Sequence, residues 1–176
     1  MNNFIKEWVP YIAIIVIVIL VRTYIVTPVI VRGDSMYNTL EDGEVLFLSK
    51  ISYRLDDIKR FDIVVVEDLD SDLIIKRVIG IPGDSVEYKD STLYINDLRI
   101  EENYTDYEME DFNVDSICEI TDIKCNGIIP EDMYLVLGDN RRVSADSRVK
   151  GLINREQILG KAVFRIWPLT KISIVK

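Results

Sequence analysis

Ser35 and Lys76 are the first residues in this 176-residue chain from which chemistry can be argued, because the chain contains no histidine. A serine hydroxyl is a weak nucleophile unless a base stands beside it. Without histidine every serine–histidine mechanism is excluded, and a neutral lysine amine becomes the leading base. Lys76 lies in L-I-I-K-R-V-I-G. If that run is a strand, Ile74, Lys76 and Val78 share one face, and Leu73, Ile75, Arg77 and Ile79 share the other. Should the first face be the core side, the ammonium is desolvated and its pKa falls from about 10.4. A base working near neutrality needs a drop of about 2–3 units, or roughly 3–4 kcal/mol. Alternation alone does not establish this, since a lone strand lysine is more often an edge or snorkelling residue. Likewise R-G-D-S-M-Y around Ser35 also suits an ordinary turn.

Ser35 follows by nine residues the end of an apolar stretch, Trp8 to Val26, whose single charge is Arg22. Nineteen helical residues reach roughly 28 Å, close to a hydrocarbon core, so residues 8–26 are expected to be a transmembrane anchor after a short tail at 1–7. Trp8 and Tyr11 at one end and Tyr24 at the other suit interfacial belts; Arg22 can snorkel, and Pro10 is expected in the first turn. A cleaved signal peptide would need an A-x-A-like site, which V-R-T-Y-I-V-T-P does not offer. A core helix would show a polar face, which Ile12 to Val21 lacks. The flanking charges, Lys6 against Arg22 and Arg32, leave the orientation undecided.

Residues 27–176 are expected to form one mainly β domain. Short runs rich in β-branched and aromatic residues, at 45–49, 62–67, 73–80, 85–88, 92–96, 133–138 and 161–167, predict strands, with turns at 81–84 and 137–140. A helix is expected at 154–159, capped by Asn154 and ended by Gly160. The net charge is −9, and nine acids between Glu101 and Asp122, with no Lys or Arg among them, supply nearly all of it. Such a run is most often a solvated loop or edge. The remainder is near neutral, which argues against a nucleic-acid partner. Cys118 and Cys125 can form a disulfide across a turn in an oxidising compartment, or remain free thiols; two cysteines without histidine make a closed zinc site improbable. No cofactor is implied.

Three segments, G-D-S-M-Y-N-T-L (33–40), K-R-V-I-G-I-P-G-D (76–84) and G-D-N-R-R-V-S-A-D-S-R (138–148), resemble in order the serine, lysine and carboxyl-proximal motifs of bacterial type I signal peptidases. R-F-D-I-V-V-V (60–66) and L-G-K-A-V-F-R-I-W-P (159–168) look like two further family segments, so the resemblance covers nearly the whole chain. It implies an antiparallel β-sheet domain after one amino-terminal transmembrane helix. Ser35 matches the nucleophile, with its backbone N–H as oxyanion donor, and Lys76 the general base. Ser144 matches a serine that orients the lysine, Asp146 and Arg148 a charged pair holding that segment, and Asp139 and Arg77 further supporting residues. The acidic segment, at about 97–128, falls where the family tolerates insertions.

The resemblance further implies a membrane-bound endopeptidase that cuts signal-peptide-bearing preproteins at the lipid bilayer, with its catalytic domain on the extracytoplasmic side. Two positions depart from the family pattern: Asn38 stands where proline is usual, which would loosen the serine loop, and Gly33 stands where some members place an oxyanion serine. A catalytically impaired relative serving in assembly, for example of pili, would have lost the serine or the lysine, and both are present. A sortase-like transpeptidase needs histidine, and a self-cleaving repressor would lack the anchor and carry a DNA-binding region.

Overall fold

The structure is a computed structural model that describes residues 3–68, 72–105 and 107–175, with backbone only at 3–7, 21, 23, 24, 54 and 55. Asp106, one of the nine acids, lies outside the described residues. Helix α1 runs Asn3–Tyr24, and after Ile25 alone the chain enters strand β1 at Val26–Ile30. The helix therefore begins five residues before the expected anchor and stops two residues short of its end. Pro10 is consequently inside α1, past the first turn. Among the described residues no helix is long and apolar enough to cross a membrane. The expected span includes the side chains of Val21, Thr23 and Tyr24, which lie outside them.

Beyond β1 come β2 (Val45–Ser49), α2 (Ser52–Leu55), β3 (Ile63–Glu67), β4 (Leu73–Gly80), β5 (Val86–Lys89), β6 (Thr92–Ile95), β7 (Leu98–Ile100) and β8 (Phe112–Asn113). They are followed by α3 (Val114–Glu119), β9 (Met133–Leu137), α4 (Ser147–Lys150), β10 (Ile153–Asn154), β11 (Ile158–Trp167) and β12 (Ser173–Ile174). Strands β1-β2-β11-β3-β4-β9-β10 form the large sheet in that order, with β12 also on β11; β7-β6-β5-β8 form a smaller one. Each of these pairings is antiparallel.

The central strands are near-continuous apolar runs because both of their faces are covered. Ile63, Val65 and Ile75 pack on one face with Met36, Leu40, Leu46 and Leu48. On the other face Val64, Val66, Val78 and Val136 pack with Ile58, Tyr134, Ile153 and Ile158. Strands β5 and β6 instead alternate buried and less buried residues. Their inward side chains, Val86, Tyr88, Leu93 and Ile95, close a third cluster with Ile79, Leu135 and Leu137 of the large sheet.

The expected bounds of β2 and β4 coincide with the observed ones. The helix expected at 154–159 shrinks to a 3₁₀ turn at Arg155–Gln157, capped by Asn154 as anticipated. Ile158 onward is claimed by the sheet, where Ile158 and Gly160 pair with Val66 and Val65. Gly160 thus serves in β11 and does not end a helix; a Cβ there would lie 2.4 Å from the carbonyl oxygen of Ser49. Strand β1 was not expected because Pro28 interrupts it, yet among the described residues β1 pairs with β2 alone, and an edge strand tolerates proline.

Residues 97–128 contain β7, β8 and α3. The described acids there face solvent apart from the half-buried Glu102, while Met109, Val114, Ile117, Cys118 and Cys125 turn inward.

Candidate active site

Lys76 sits in the middle of β4 with only 3% of its surface exposed. It shares its face with Ile74 and Val78, which belong to one apolar cluster, so alternation places the amine on a core-facing side. Burial pushes its pKa down to about 8; Asp146 and Asp139 oppose the shift, while Lys150 and Arg148 add to it. At that value roughly a tenth of the amine is neutral at pH 7 and half near pH 8, against a negligible share for an ordinary lysine, as a general base requires.

The β4–β9 register pairs Val78 with Val136 and Arg77 with Leu137. One residue further along the same register, Lys76 stands opposite Gly138. Opposed residues of an antiparallel pair project to the same face, so the missing side chain of Gly138 leaves open the space beside the lysine. That space is filled from two directions: a Cβ on Gly138 would lie 2.2 Å from Ser144 Oγ and 2.4 Å from the carbonyl oxygen of Ser35. The serine, lysine and carboxyl-proximal motifs converge on this one glycine.

Ser35 is half-buried in the loop between β1 and β2. Met36 and Leu40, both fully buried, root this loop in the core. The Asn140 N–H donates to the Ser35 carbonyl at 3.0 Å. Among the described residues nothing accepts the Ser35 N–H, which leaves it available as an oxyanion donor. Ser144 is buried, and its Oγ has no hydrogen-bond partner. A buried hydroxyl left unpaired is costly, which marks Ser144 Oγ as a group awaiting a partner.

Asp146 caps α4 and is buried. Its carboxylate accepts from Arg148 Nε at 2.8 Å and Nη2 at 2.9 Å, and from the Gly138 N–H at 3.0 Å. The Asp146–Arg148 pair thereby fixes the glycine on which the site converges. On the opposite face of β4, Arg77 makes a bidentate pair with Asp139, Nε to Oδ1 at 2.8 Å and Nη2 to Oδ2 at 2.7 Å.

Further supporting residues were not among those expected. Thr39 Oγ1 donates to Asp139 Oδ2 at 2.5 Å and accepts from Arg77 Nη2 at 3.2 Å. Arg141 is buried, donating to the Gly138 carbonyl at 3.0 Å and to Glu102 at 2.5 Å. Ser147 Oγ accepts the Val136 N–H at 3.0 Å. Thr39, Arg141 and Ser147 lie inside the serine and carboxyl-proximal motifs, which were the available clue. Tyr104, whose ring lies 4.1 Å from the Arg77 guanidinium carbon, lies in the acidic segment with nothing to mark it.

Asn38 has φ 90°, a conformation that proline, fixed near −65°, does not reach. The loop around Asn38 is held by the bonds above. Gly33 has φ 73°, and its N–H donates to Asp42 Oδ1 at 2.7 Å. Cys118 and Cys125 form a disulfide with Cα atoms 6.2 Å apart. Among the described residues no group of three or more His, Cys, Asp or Glu is arranged to hold a metal ion.

Residues 5–167 match the family described as signal peptidase, peptidase S26. Signal peptidase IB of Staphylococcus aureus strain COL is 41% identical over 179 residues, covering 97% of this chain and 94% of that protein. Signal peptidase I of Streptococcus pneumoniae serotype 4 is 36% identical over 202 residues, covering 98% and 97%. The crystal structure of a signal peptidase I from Enterococcus faecalis V583 superposes with a TM-score of 0.53 at 35% identity, covering 60% of this chain and 97% of that one.

Proposed function

The chain belongs to the signal peptidase family, peptidase S26, and from that premise we propose that it is a serine endopeptidase removing signal peptides from exported preproteins with a Ser35/Lys76 dyad. The observation that carries the mechanism is Lys76: a core-facing lysine with its pKa near 8, across the strand pair from the glycine that Ser35 and Ser144 crowd. Neutral Lys76 takes the proton of the Ser35 hydroxyl as Oγ attacks the scissile carbonyl. The Ser35 N–H receives the developing oxyanion. The proton passes to the leaving amine as the acyl-enzyme forms. Lys76, neutral again, then deprotonates a water that attacks the ester carbonyl, and the proton passes from Lys76 to Ser35 Oγ as the acyl bond breaks and the signal peptide leaves as a carboxylate. Ser144 orients the amine, Asp146 with Arg148 and Asp139 with Arg77 hold the framework, and no cofactor enters.

The substrate binds extended, as an added strand beside an edge of the domain, with small pockets favouring Ala at the first and third positions before the cut. Helix α1 anchors the enzyme in the cell membrane by a single span, with the catalytic domain on the extracytoplasmic side. The exposed apolar side chains from Trp8 to Leu20 support this reading. Anchoring confines enzyme and preprotein to one surface and raises their effective concentration without new contacts.

Cleavage of a preprotein in detergent by the wild type, Ser35→Ala and Lys76→Ala tests the proposal. Both variants are expected to be inactive yet folded. Cleavage surviving in Lys76→Ala would overturn the dyad.

A further inference from the structure

The loop carrying the nucleophile is held at two points four residues apart, and both grips come from neighbouring residues of the carboxyl-proximal segment. Asn140 takes the Ser35 carbonyl through its N–H at 3.0 Å, and Asp139 takes the Thr39 hydroxyl at 2.5 Å. Thr39 Oγ1 also receives Arg77 Nη2 at 3.2 Å. Arg77 follows Lys76 on β4 and projects to the opposite face. The loop therefore wraps the end of the sheet, with Ser35 on the lysine side and Thr39 on the arginine side. The side chains of Met36 and Leu40 pack in the core beneath the loop, and among the described residues the Thr39 hydroxyl is the side-chain hydrogen-bonding group that ties the loop to the lysine strand itself.

From this juxtaposition, and resting on the signal peptidase reading above, we infer that Thr39 is a positioning residue for the reaction: its hydroxyl locks the nucleophile loop onto Arg77 and Asp139 and so sets the approach of Ser35 to Lys76. Thr39 touches neither the substrate nor the reacting atoms. Its effect is on alignment, where a displacement of about 1 Å costs on the order of 100-fold in rate. Removing the hydroxyl while keeping the shape should therefore lower kcat and leave substrate binding alone, because the strand edges and pockets that bind the substrate are unchanged.

The experiment compares full-length wild type, Thr39→Val and Thr39→Ser in detergent on one preprotein, measuring kcat, KM and the pH–rate midpoint, with circular dichroism as a check on folding. Thr39→Val is expected to lose about 100-fold in kcat, with KM and the pH midpoint unmoved, since Lys76 keeps its surroundings. Thr39→Ser, which restores the hydroxyl, is expected to recover most of that loss. Retention of kcat in Thr39→Val, a loss confined to KM, a shifted pH midpoint, or failure of Thr39→Ser to recover activity would each overturn the inference. A Thr39→Val chain that does not fold would also overturn it, because Thr39 would then be structural. A wild type that does not cleave preprotein would instead defeat the underlying functional reading, so the two failures are distinct.

Discussion

Asp146 accepts the amide hydrogen of Gly138 at 3.0 Å while its other contacts go to Arg148. A buried carboxylate thus holds in place the one residue whose lack of a side chain lets the three motifs meet.

Replacing Gly138 by alanine is accordingly expected to be severe despite its small size. The added Cβ would meet the Ser35 carbonyl oxygen at 2.4 Å, and that oxygen is held by the Asn140 amide and cannot swing aside. A loss of about 100-fold or more in cleavage is expected, with the β fold retained by circular dichroism. Near-normal cleavage would show that Ser35 and Ser144 do not crowd this position.

The rate of cleavage should rise with pH through a single ionisation near 8, the value to which burial brings Lys76, as the amine loses its proton and becomes a base. A flat rate between about pH 6 and 10 would contradict the assignment.

The same lysine should depress stability. Because its folded pKa, about 8, lies below the unfolded value of 10.5, the unfolded chain binds more protons between them. Stability therefore rises with pH across that window, and the penalty is fully present below about 8. Lys76→Met should raise unfolding free energy at pH 7 by up to about 3 kcal/mol. The gain should fade toward pH 10.5 in denaturant titrations. A gain that does not depend on pH would point to packing alone.

Asn38→Pro, which restores the usual family residue, should destabilise the serine loop, because φ 90° is closed to proline. Lower thermal stability together with lower activity is expected. A stabilised variant would mean that the loop adopts a different backbone at Asn38.

The disulfide closes a short loop of sequence separation 7. Changing Cys118 and Cys125 together to serine should cost about 2–3 kcal/mol in denaturant unfolding, by the chain-entropy account. A mass shift on reduction of the wild type is the accompanying check.

Much of this site is visible in the sequence, for reasons that can be named. Lys76 shares its strand face with Ile74 and Val78, which the sequence shows, but that this face is covered and the amine buried follows only from the packing of the folded domain. Ser35, Ser144, Asp146 and Arg148 lie in recognisable motifs. Their convergence on Gly138 was not readable, because it depends on the β4–β9 register and on a loop crossing the end of that pair. Glu102 and Tyr104 were hidden by their neighbours. In a run dominated by solvent-facing acids, nothing local shows that these two turn inward to Arg141 and Arg77. The helix at 154–159 was misjudged in extent because pairing of Ile158 and Gly160 with β3 outweighs a three-residue capped turn.

Between α1 and β1 there is one residue, Ile25, whose carbonyl accepts the Lys50 N–H at 3.0 Å, and the Thr27 hydroxyl reaches back to the Arg22 carbonyl at 3.1 Å. Such a junction is a shaft, not a tether. Each residue added to the helix would advance the catalytic body by about 1.5 Å and turn it by roughly 100° about the helix axis. On the anchoring proposed above, the elevation and heading of Ser35 would be dictated by helix length. Cleavage sites lying at different heights must then be brought to a fixed blade by the substrate's own stretching and tilting.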